Sequence, residues 1–272
     1  MHMAAAVIPD IHLSPNSLAA IQARVKHGQI SFAGPILLVC ARSILLVASQ
    51  ALVALILVAH HHASPWREAG YWWTVYGTLV DIGCLIGLRH FTRREGIRLR
   101  DLFGPVHLRS GRDIFLGLGY FALIFPFFLI GGFLAQHLFY GSSPQNPGAY
   151  VFQAHAMPLW ATIYSLTLWW MIWSPTEEAT YQAYALPRFQ ALTGRTSIAF
   201  LIVGVLWAAQ HSALPFIPDA RFLLFRSLAF LPGVLVAMTI YWRTRRLAPL
   251  MVAHWPMDIV GALMMSILAN HH

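Results

Sequence analysis

Ser174–Gln182 reads Ser-Pro-Thr-Glu-Glu-Ala-Thr-Tyr-Gln and directly follows a strongly apolar run, Leu159–Trp173. The adjacent carboxylates Glu177 and Glu178 therefore lie at or inside a segment that is apolar enough to enter a membrane. A carboxylate in lipid costs several kcal/mol unless it faces protein or water, so this pair indicates a functional site.

The composition of the whole chain is that of a membrane protein. Its 272 residues are 58% hydrophobic and 10% charged, with a mean hydropathy of +0.60, values that exclude an ordinary soluble domain. The net charge of +8 is explained better by arginine-rich loops beside the membrane than by a nucleic-acid partner. Cys40 and Cys84 both lie in apolar runs, which excludes a disulfide framework and a CxxC metal site.

The apolar runs predict an all-α, polytopic transmembrane bundle of about seven spans. The predicted spans are residues 35–59, 70–88, 114–139, 158–187, 197–213, 222–242 and 249–269. Residues 1–34 are assigned to an N-terminal cytoplasmic segment that contains a short helix over Leu18–Lys26. Residues 35–272 are interpreted as one bundle, made of three early spans (35–140) and a later core (158–269).

Loop charges predict the orientation of this bundle. Basic residues concentrate in alternate loops, which hold Arg24 and Lys26, seven arginines between residues 89 and 112, Arg188 and Arg195, and Arg243, Arg245 and Arg246. The opposite loops hold only Arg67 and Arg221, and residues 140–157 contain no Lys, Arg, Asp or Glu. Because basic residues are retained on the cytoplasmic side, the N-terminus is predicted inside and the C-terminus outside.

Two charged residues lie inside the early spans. Arg42 and Asp81 are each roughly 10 Å from the cytoplasmic end of their span at the helical rise of about 1.5 Å per residue. Since intramembrane charges require partners, we expect a structural ion pair between them. Gly83 and Gly87, four residues apart in the second span, predict close packing against a neighbouring helix.

Three later segments carry polar groups at positions that lipid would reject. They are Glu177-Glu178 with Tyr181 and Gln182 on the next turn, Trp207 with His211 in the fifth span, and His254 with Asp258 in the seventh. In the last two pairs the residues are four apart, which places them on one helix face. Helical rise puts Glu177 and the seventh-span pair at comparable depths and His211 further out. We expect these groups to converge on one pocket.

These residue types together can hydrolyse a peptide bond. A carboxylate in a dry pocket can act as a general base on water, and a histidine can donate a hydrogen bond to the developing oxyanion. The same side chains can also bind zinc, although the chain has no HExxH motif. A purely structural role for every one of these polar groups is disfavoured, because each of them costs stability in lipid.

Three motifs in this order resemble those of the CAAX protease and bacteriocin-processing (CPBP, or Abi) intramembrane endopeptidases, which include CAAX prenyl protease type 2-like proteins and the CAAX protease self-immunity domain. Glu-Glu-x-x-x-Arg resembles Glu177 to Gln182, Phe-x-x-x-His resembles Trp207 to His211, and His-x-x-x-Asn/Asp resembles His254 to Asp258. The 34-residue step from Glu177 to His211 also fits. The resemblance covers about residues 159–268.

The resemblance implies an all-helical membrane bundle with a cavity open to the cytosol. It implies that Glu177 activates the water and that Glu178 positions it or holds a neighbouring helix. His211 would contribute to water or oxyanion binding, and His254 and Asp258 would complete the oxyanion site. The implied mechanism uses no metal and no other cofactor, with zinc as the minority alternative.

Two positions depart from the family pattern. The motif arginine is Gln182 here, and the motif phenylalanine is Trp207. Gln cannot supply the charge or the bidentate fork of Arg, and Trp is a larger apolar wall with one hydrogen-bond donor. Arg188, more than one helical turn away, is a candidate replacement for the missing arginine. We assign Trp207, Tyr181 and Gln182 to substrate binding.

The leading interpretation is an intramembrane endopeptidase that cleaves a membrane-associated peptide or protein, either prenylated or leader-bearing. Its partners would be that substrate and the lipid bilayer, without nucleic acid, in a multi-pass protein of the cell membrane, by implication a bacterial inner membrane. Two alternatives stay open. A proton-coupled transporter would use the acids and histidines as a relay, and an inactive binding or immunity protein would keep the fold without the chemistry.

Overall fold

The computed structural model describes residues 14–104, 111–143 and 157–269, and every secondary-structure element in these ranges is a helix. The helices are α1 (Leu18–Lys26), α2 (Ala33–Ala59), α3 (Pro65–Ala69), α4 (Trp73–Arg94), α5 (Arg112–Tyr140), α6 (Leu159–Tyr164), α7 (Trp170–Glu178), α8 (Leu186–Thr193), α9 (Thr196–Gln210), α10 (Ala220–Thr244) and α11 (Ala248–Ala269). Short 3₁₀ turns cover Gly70–Trp72 and Leu99–Leu102. The predicted all-α class is confirmed.

Three of these helices, α2, α5 and α10, are long and apolar enough to cross a membrane, judged by length and composition. The shorter helix α9 is also apolar. Large apolar side chains cover their outer surfaces: Leu55, Phe115 and Phe133 are 67%, 77% and 72% exposed. Lipid can cover such a surface, whereas a soluble protein rarely exposes apolar patches of this extent. The chain therefore has the features of a multi-pass membrane protein.

The predicted spans coincide with helices throughout the described part of the chain, and α1 has the predicted bounds. Three boundaries were wrong. α4 continues past residue 88 to Arg94, and α8 continues past residue 187 to Thr193. α9 ends at Gln210, so that His211 lies in the turn after the helix. Most of the uncharged loop, residues 144–156, and Arg109 lie outside the described residues.

The fourth predicted span is a segmented helix that holds both carboxylates. α6, α7 and α8 follow one another from Leu159 to Thr193, separated by π turns at Ser165–Trp169 and Ala179–Ala185. A π turn is wider than an α turn and often marks a functional site. The second one begins directly after Glu178, so it changes the direction in which the following side chains point.

The predicted close packing of the second span is confirmed between α2 and α4. A Cβ atom on Gly83 or Gly87 would approach leucine side chains of α2 to 2.7 or 2.8 Å, so any larger residue would force these leucine side chains to move. The approach brings Arg42 of α2 beside Asp81 of α4, and Arg42 Nη1 donates to Asp81 Oδ1 at 2.9 Å. The predicted ion pair is therefore present, and both of its side chains are fully buried.

A second buried ion pair fastens α8 to the end of α4. Arg188 Nη2 lies 2.5 Å from Glu95 Oε2, and Arg188 Nε lies 2.9 Å from Glu95 Oε1. The same guanidinium donates to Asn16 Oδ1 at 3.1 Å, and the Tyr184 hydroxyl donates to Glu95 Oε1 at 2.8 Å. The proposal that Arg188 replaces the motif arginine beside Glu177 is therefore wrong, because Glu95 occupies its guanidinium.

We expect Arg188→Met to lower the free energy of unfolding in detergent by about 3–5 kcal/mol, since removing one partner leaves the other buried without a counter-charge. Combining Arg188→Met with Glu95→Gln should recover part of this loss. Denaturation of the purified variants measures both effects. A loss below about 1 kcal/mol in the single variant is what an exposed ion pair contributes. Such a small loss would contradict a stabilising role of the buried Arg188–Glu95 pair.

Candidate active site

A cavity of about 260 Å³ lies between α5, α7, α9, α10 and α11. Most of its wall is aromatic or aliphatic, which is the usual form of a site that presents a few converging polar groups to a ligand. The charged or titratable side chains that line it are Glu177, Glu178, His211, Arg226, His254 and Asp258.

Glu177 is buried and held from two sides. Arg42 Nη2 donates to its Oε2 atom at 3.3 Å, and Trp207 Nε1 donates to its Oε1 atom at 2.5 Å. Arg42 is itself fixed by Asp81 and by the Trp173 ring, whose centroid lies 4.1 Å from the guanidinium carbon. Each carboxylate oxygen can accept a second hydrogen bond, so Glu177 keeps acceptor capacity toward the cavity.

His211 faces the same carboxylate from the turn after α9. Its Nε2 atom lies 3.9 Å from Glu177 Oε1, which is too long for a direct hydrogen bond. Its Nδ1 atom lies 3.1 Å from the Trp207 carbonyl oxygen. A carbonyl can only accept, so this contact assigns a proton to Nδ1, and Nε2 of a neutral ring is then an acceptor. The imidazole stacks on Phe230 with the ring centroids 3.8 Å apart.

His254 lies between two carboxylates. Its Nδ1 atom is 3.1 Å from Glu178 Oε1, and its Nε2 atom is 3.5 Å from Asp258 Oδ1, one turn further along α11. Among the described residues, Glu178 Oε2 and Asp258 Oδ2 are buried and have no hydrogen-bond partner. Buried polar atoms usually find partners, so these two oxygens are acceptors that a substrate or solvent would satisfy.

The structure brings together the five residues predicted to be catalytic: Glu177, Glu178, His211, His254 and Asp258. His211 reaches the others although helical rise had placed it further out. The predicted depth assumes that the fourth span ends near residue 187, whereas α8 continues to Thr193 and so places Glu177 deeper. The individual catalytic roles of these residues remain predictions.

Of the three residues assigned to substrate binding, Trp207 lines the cavity and the other two do not. Tyr181 is buried behind Trp207, with the ring centroids 5.3 Å apart, and its hydroxyl donates to Gln210 Oε1 at 3.1 Å. Gln182 is also fully buried, and neither polar atom of its side chain has a hydrogen-bond partner among the described residues. Both residues belong to the π turn after Glu178, which directs them into the packed interior.

Two features of the cavity were missed by sequence reasoning. One is the hydrogen bond from Arg42 to Glu177. A comparison of depths pairs Arg42 with Asp81 and does not indicate this second partner. The other is Arg226 of α10, which donates from Nε to the His211 carbonyl oxygen at 3.1 Å and from Nη2 to the Leu214 carbonyl oxygen at 2.9 Å. Arg226 lies inside the predicted span 222–242, and a charged residue at such a position indicates a functional or paired group.

The donor groups in the cavity do not fit a zinc site. Across residues 14–104, 111–143 and 157–269, no three His, Cys, Asp or Glu side chains are arranged to hold a metal ion. Both ring nitrogens of His254 face carboxylate oxygens, whereas zinc ligands direct their donor atoms at a common point.

Comparison with known protein families identifies the later part of the chain. Residues 158–260 match the family model described as Type II CAAX prenyl endopeptidase Rce1-like. The match includes all five converging residues and excludes Arg42 and Asp81. A comparison with curated proteins and one with solved structures found no match.

Proposed function

We propose, from the Rce1-like type II CAAX prenyl endopeptidase domain that residues 158–260 form, that this chain hydrolyses a peptide bond in a membrane-associated protein. That family implies an intramembrane protease, and the cavity at Glu177 provides a place for the reaction. The observation that carries the proposal is the convergence of three carboxylates and two histidines, from α7, α11 and the turn after α9, on one largely apolar cavity. The proposed substrate is a prenylated or leader-bearing peptide.

In the proposed reaction Glu177 is the general base. A water molecule bonded to both Glu177 Oε1 and His211 Nε2 satisfies both atoms, since one water can bridge polar groups 3.9 Å apart. Glu177 takes a proton from this water as its oxygen bonds to the carbonyl carbon of the scissile peptide. Arg42 and Trp207 hold the carboxylate by its two oxygens and so fix the direction of proton transfer.

The tetrahedral intermediate then requires a hydrogen-bond donor for its oxyanion. His254 is the proposed donor. The contact of His254 Nε2 with Asp258, at 3.5 Å, is longer than that of Nδ1 with Glu178, at 3.1 Å. The Nε2–H group is therefore the donor from which the oxyanion can accept a hydrogen bond. Glu177 returns its proton to the leaving nitrogen as the carbon–nitrogen bond breaks, and the second proton of the water stays on the new carboxyl group, so that a carboxylic acid and an amine are released.

We propose that Arg42 is the positioning residue that compensates for Gln182. The family motif carries an arginine where this chain has glutamine, yet a guanidinium still bonds to Glu177, and it comes from α2. Because Arg42 also bonds to Asp81 of α4, the first two spans become part of the support of the reaction site. The matched domain would therefore require residues outside its own bounds for full activity.

The proposed membrane arrangement has seven spans, with the N-terminus in the cytoplasm of a bacterial cell. In the described ranges seven helical segments are available: α2, α4, α5, α6–α8, α9, α10 and α11. The arginine-rich loops alternate with loops poor in charge, as the positive-inside rule requires. Residues 1–34 would then be a cytoplasmic segment, residues 35–140 a support, and residues 158–269 the catalytic core.

Cleavage by the purified protein in liposomes tests the proposed function. The substrates would be a prenylated CAAX peptide and a peptide with a hydrophobic leader, with the products identified by mass spectrometry. We expect cleavage of one of them at a single peptide bond. Proton uptake without any cleavage would favour the transporter, and binding without cleavage would favour an inactive relative of the family.

Trp207→Phe is expected to lower kcat by about 10- to 100-fold with little change in KM, because it removes one hydrogen bond to the proposed base, worth about 1.5–3 kcal/mol when one partner is charged. The ring that stacks on Tyr181 is retained, and phenylalanine is the residue of the family motif. Steady-state cleavage of the peptide measures this change. An unchanged kcat would show that the 2.5 Å contact does not support catalysis.

A further inference from the structure

Arg226 is an arginine that lines the cavity, and the proposed hydrolysis does not use it. The residue lies in the second turn of α10, which is long and apolar enough to cross a membrane. Its side chain lines the same cavity as Glu177 and His254. A charge at such a position is costly and normally has a partner or a function.

Arg226 has no carboxylate partner within the parts of the chain that the structure describes. Its guanidinium contacts two backbone carbonyl oxygens and the Phe230 ring, whose centroid lies 4.8 Å from the guanidinium carbon. The chain has ten acidic side chains in total, and only one of them, Asp10, lies outside the described ranges. This contrasts with Arg42 and Arg188, each of which is paired with a carboxylate.

The guanidinium of Arg226 is held in place by two hydrogen bonds, and its other N–H donors have no partner among the described residues. Of its five N–H groups, Nε–H donates to the His211 carbonyl oxygen and one N–H of Nη2 donates to the Leu214 carbonyl oxygen. The remaining donors belong to a group that is already held beside His211, because Phe230 packs against both side chains. A preorganised guanidinium suits bidentate recognition of a carboxylate.

We propose that Arg226 binds a carboxylate of the substrate and so selects peptides that carry this group close to the scissile bond. The inference rests on the proposed function, because it assigns the group to a peptide that is cleaved at Glu177. The cavity, at about 260 Å³, is smaller than the range of about 300–1,000 Å³ that is typical of ligand pockets. A short chain end fits such a space better than a continuous chain, which favours the C-terminal carboxylate over an acidic side chain.

The test compares three versions of one cleaved peptide, which end in a free carboxylate, in an amide, or in an amide that follows an aspartate. The quantity measured is the ratio of kcat/KM between versions for each enzyme. We expect the wild type to prefer the free carboxylate over the amide by about 10- to 100-fold, the factor that corresponds to hydrogen bonds to a charged group. Arg226→Gln should reduce this ratio to near one, and Arg226→Lys should keep part of it, since lysine retains the charge but not the fork.

The ratio separates recognition from the structural role of Arg226. If the residue only caps the carbonyl groups after α9, its loss would slow all three peptides equally and leave their ratios as in the wild type, which would overturn the proposal. If the wild type instead prefers the aspartate peptide over the peptide with a free C-terminal carboxylate, Arg226 would still be the carboxylate site, but the group that it binds would be an acidic side chain.

Binding to Glu177→Gln distinguishes failure of this inference from failure of the proposed function. The same three peptides, carrying a fluorophore, would be titrated against this variant with and without Arg226→Gln. A carboxylate preference that disappears with Arg226→Gln supports the site even if the wild type cleaves nothing. Equal affinities of the Glu177→Gln variant, which retains Arg226, for the carboxylate and amide peptides would overturn the proposed carboxylate site.

Discussion

Glu177→Gln is expected to lower kcat for peptide cleavage by about 10²–10⁴-fold, the contribution typical of a general base. The amide has nearly the volume of the carboxylate, and its oxygen can still accept from Trp207 or Arg42, so the protein should stay folded. It cannot take a proton from water, and catalysis should therefore fail at the chemical step. Cleavage assays and the melting temperature of the purified variant measure the two properties separately.

Glu178→Gln is the matched control for this prediction. Glu178 is the adjacent residue and is buried at the same cavity, but its hydrogen bond is to His254, at 3.1 Å. We expect a smaller loss of kcat than in Glu177→Gln, because the proposed mechanism has Glu178 position His254 and gives it no contact with the attacking water. Near-normal cleavage by Glu177→Gln would remove the general-base role, and a larger loss in Glu178→Gln would exchange the roles of the two acids.

Arg42→Met is expected to lower the free energy of unfolding by about 3–5 kcal/mol, because it leaves two buried carboxylates without their shared cation. The cation bonds to Asp81 at 2.9 Å and to Glu177 at 3.3 Å. At a temperature where the variant is still folded, kcat should also fall, since the orientation of Glu177 is no longer fixed. Denaturation in detergent and steady-state kinetics below the melting temperature test these two expectations.

The exchange variant, Arg42→Asp combined with Asp81→Arg, separates the two functions of Arg42. A simple structural pair would be restored by the exchange in both stability and activity. Because position 42 also faces Glu177, the exchange replaces the guanidinium beside the base with a carboxylate and moves the guanidinium to α4. We expect partial recovery of stability over Arg42→Asp alone and no recovery of kcat. Recovery of both would leave Arg42 with a structural role only.

Much of the fold followed from simple sequence patterns. Apolar runs predicted the helices, and the four-residue spacing of Gly83 and Gly87 predicted a contact that the structure contains. The Arg42–Asp81 pair followed from a comparison of depths in two spans. These predictions succeeded because lipid penalises exposed polar groups and charges strongly, so few arrangements are compatible with the sequence.

The details of the site were less accessible. Tyr181 and Gln182 were assigned to the cavity from an α-helical spacing, and the π turn over Ala179–Ala185 directs them elsewhere. The contact from Arg42 to Glu177 joins residues 135 positions apart, and no local pattern encodes such a distance. Trp207 was predicted to contact the substrate through its apolar ring, whereas in the structure its N–H group also donates a hydrogen bond to Glu177.

An experimental structure with a non-hydrolysable peptide, in which a hydroxyl-bearing tetrahedral carbon replaces the scissile carbonyl, tests the assignment of the reaction site most directly. We expect the hydroxyl oxygen within about 3.2 Å of the Glu177 carboxylate, the reach of a general base, and on the side that faces His211 Nε2. A tetrahedral carbon bound outside this cavity, or separated from Glu177 by more than one water molecule, would contradict Glu177-activated hydrolysis.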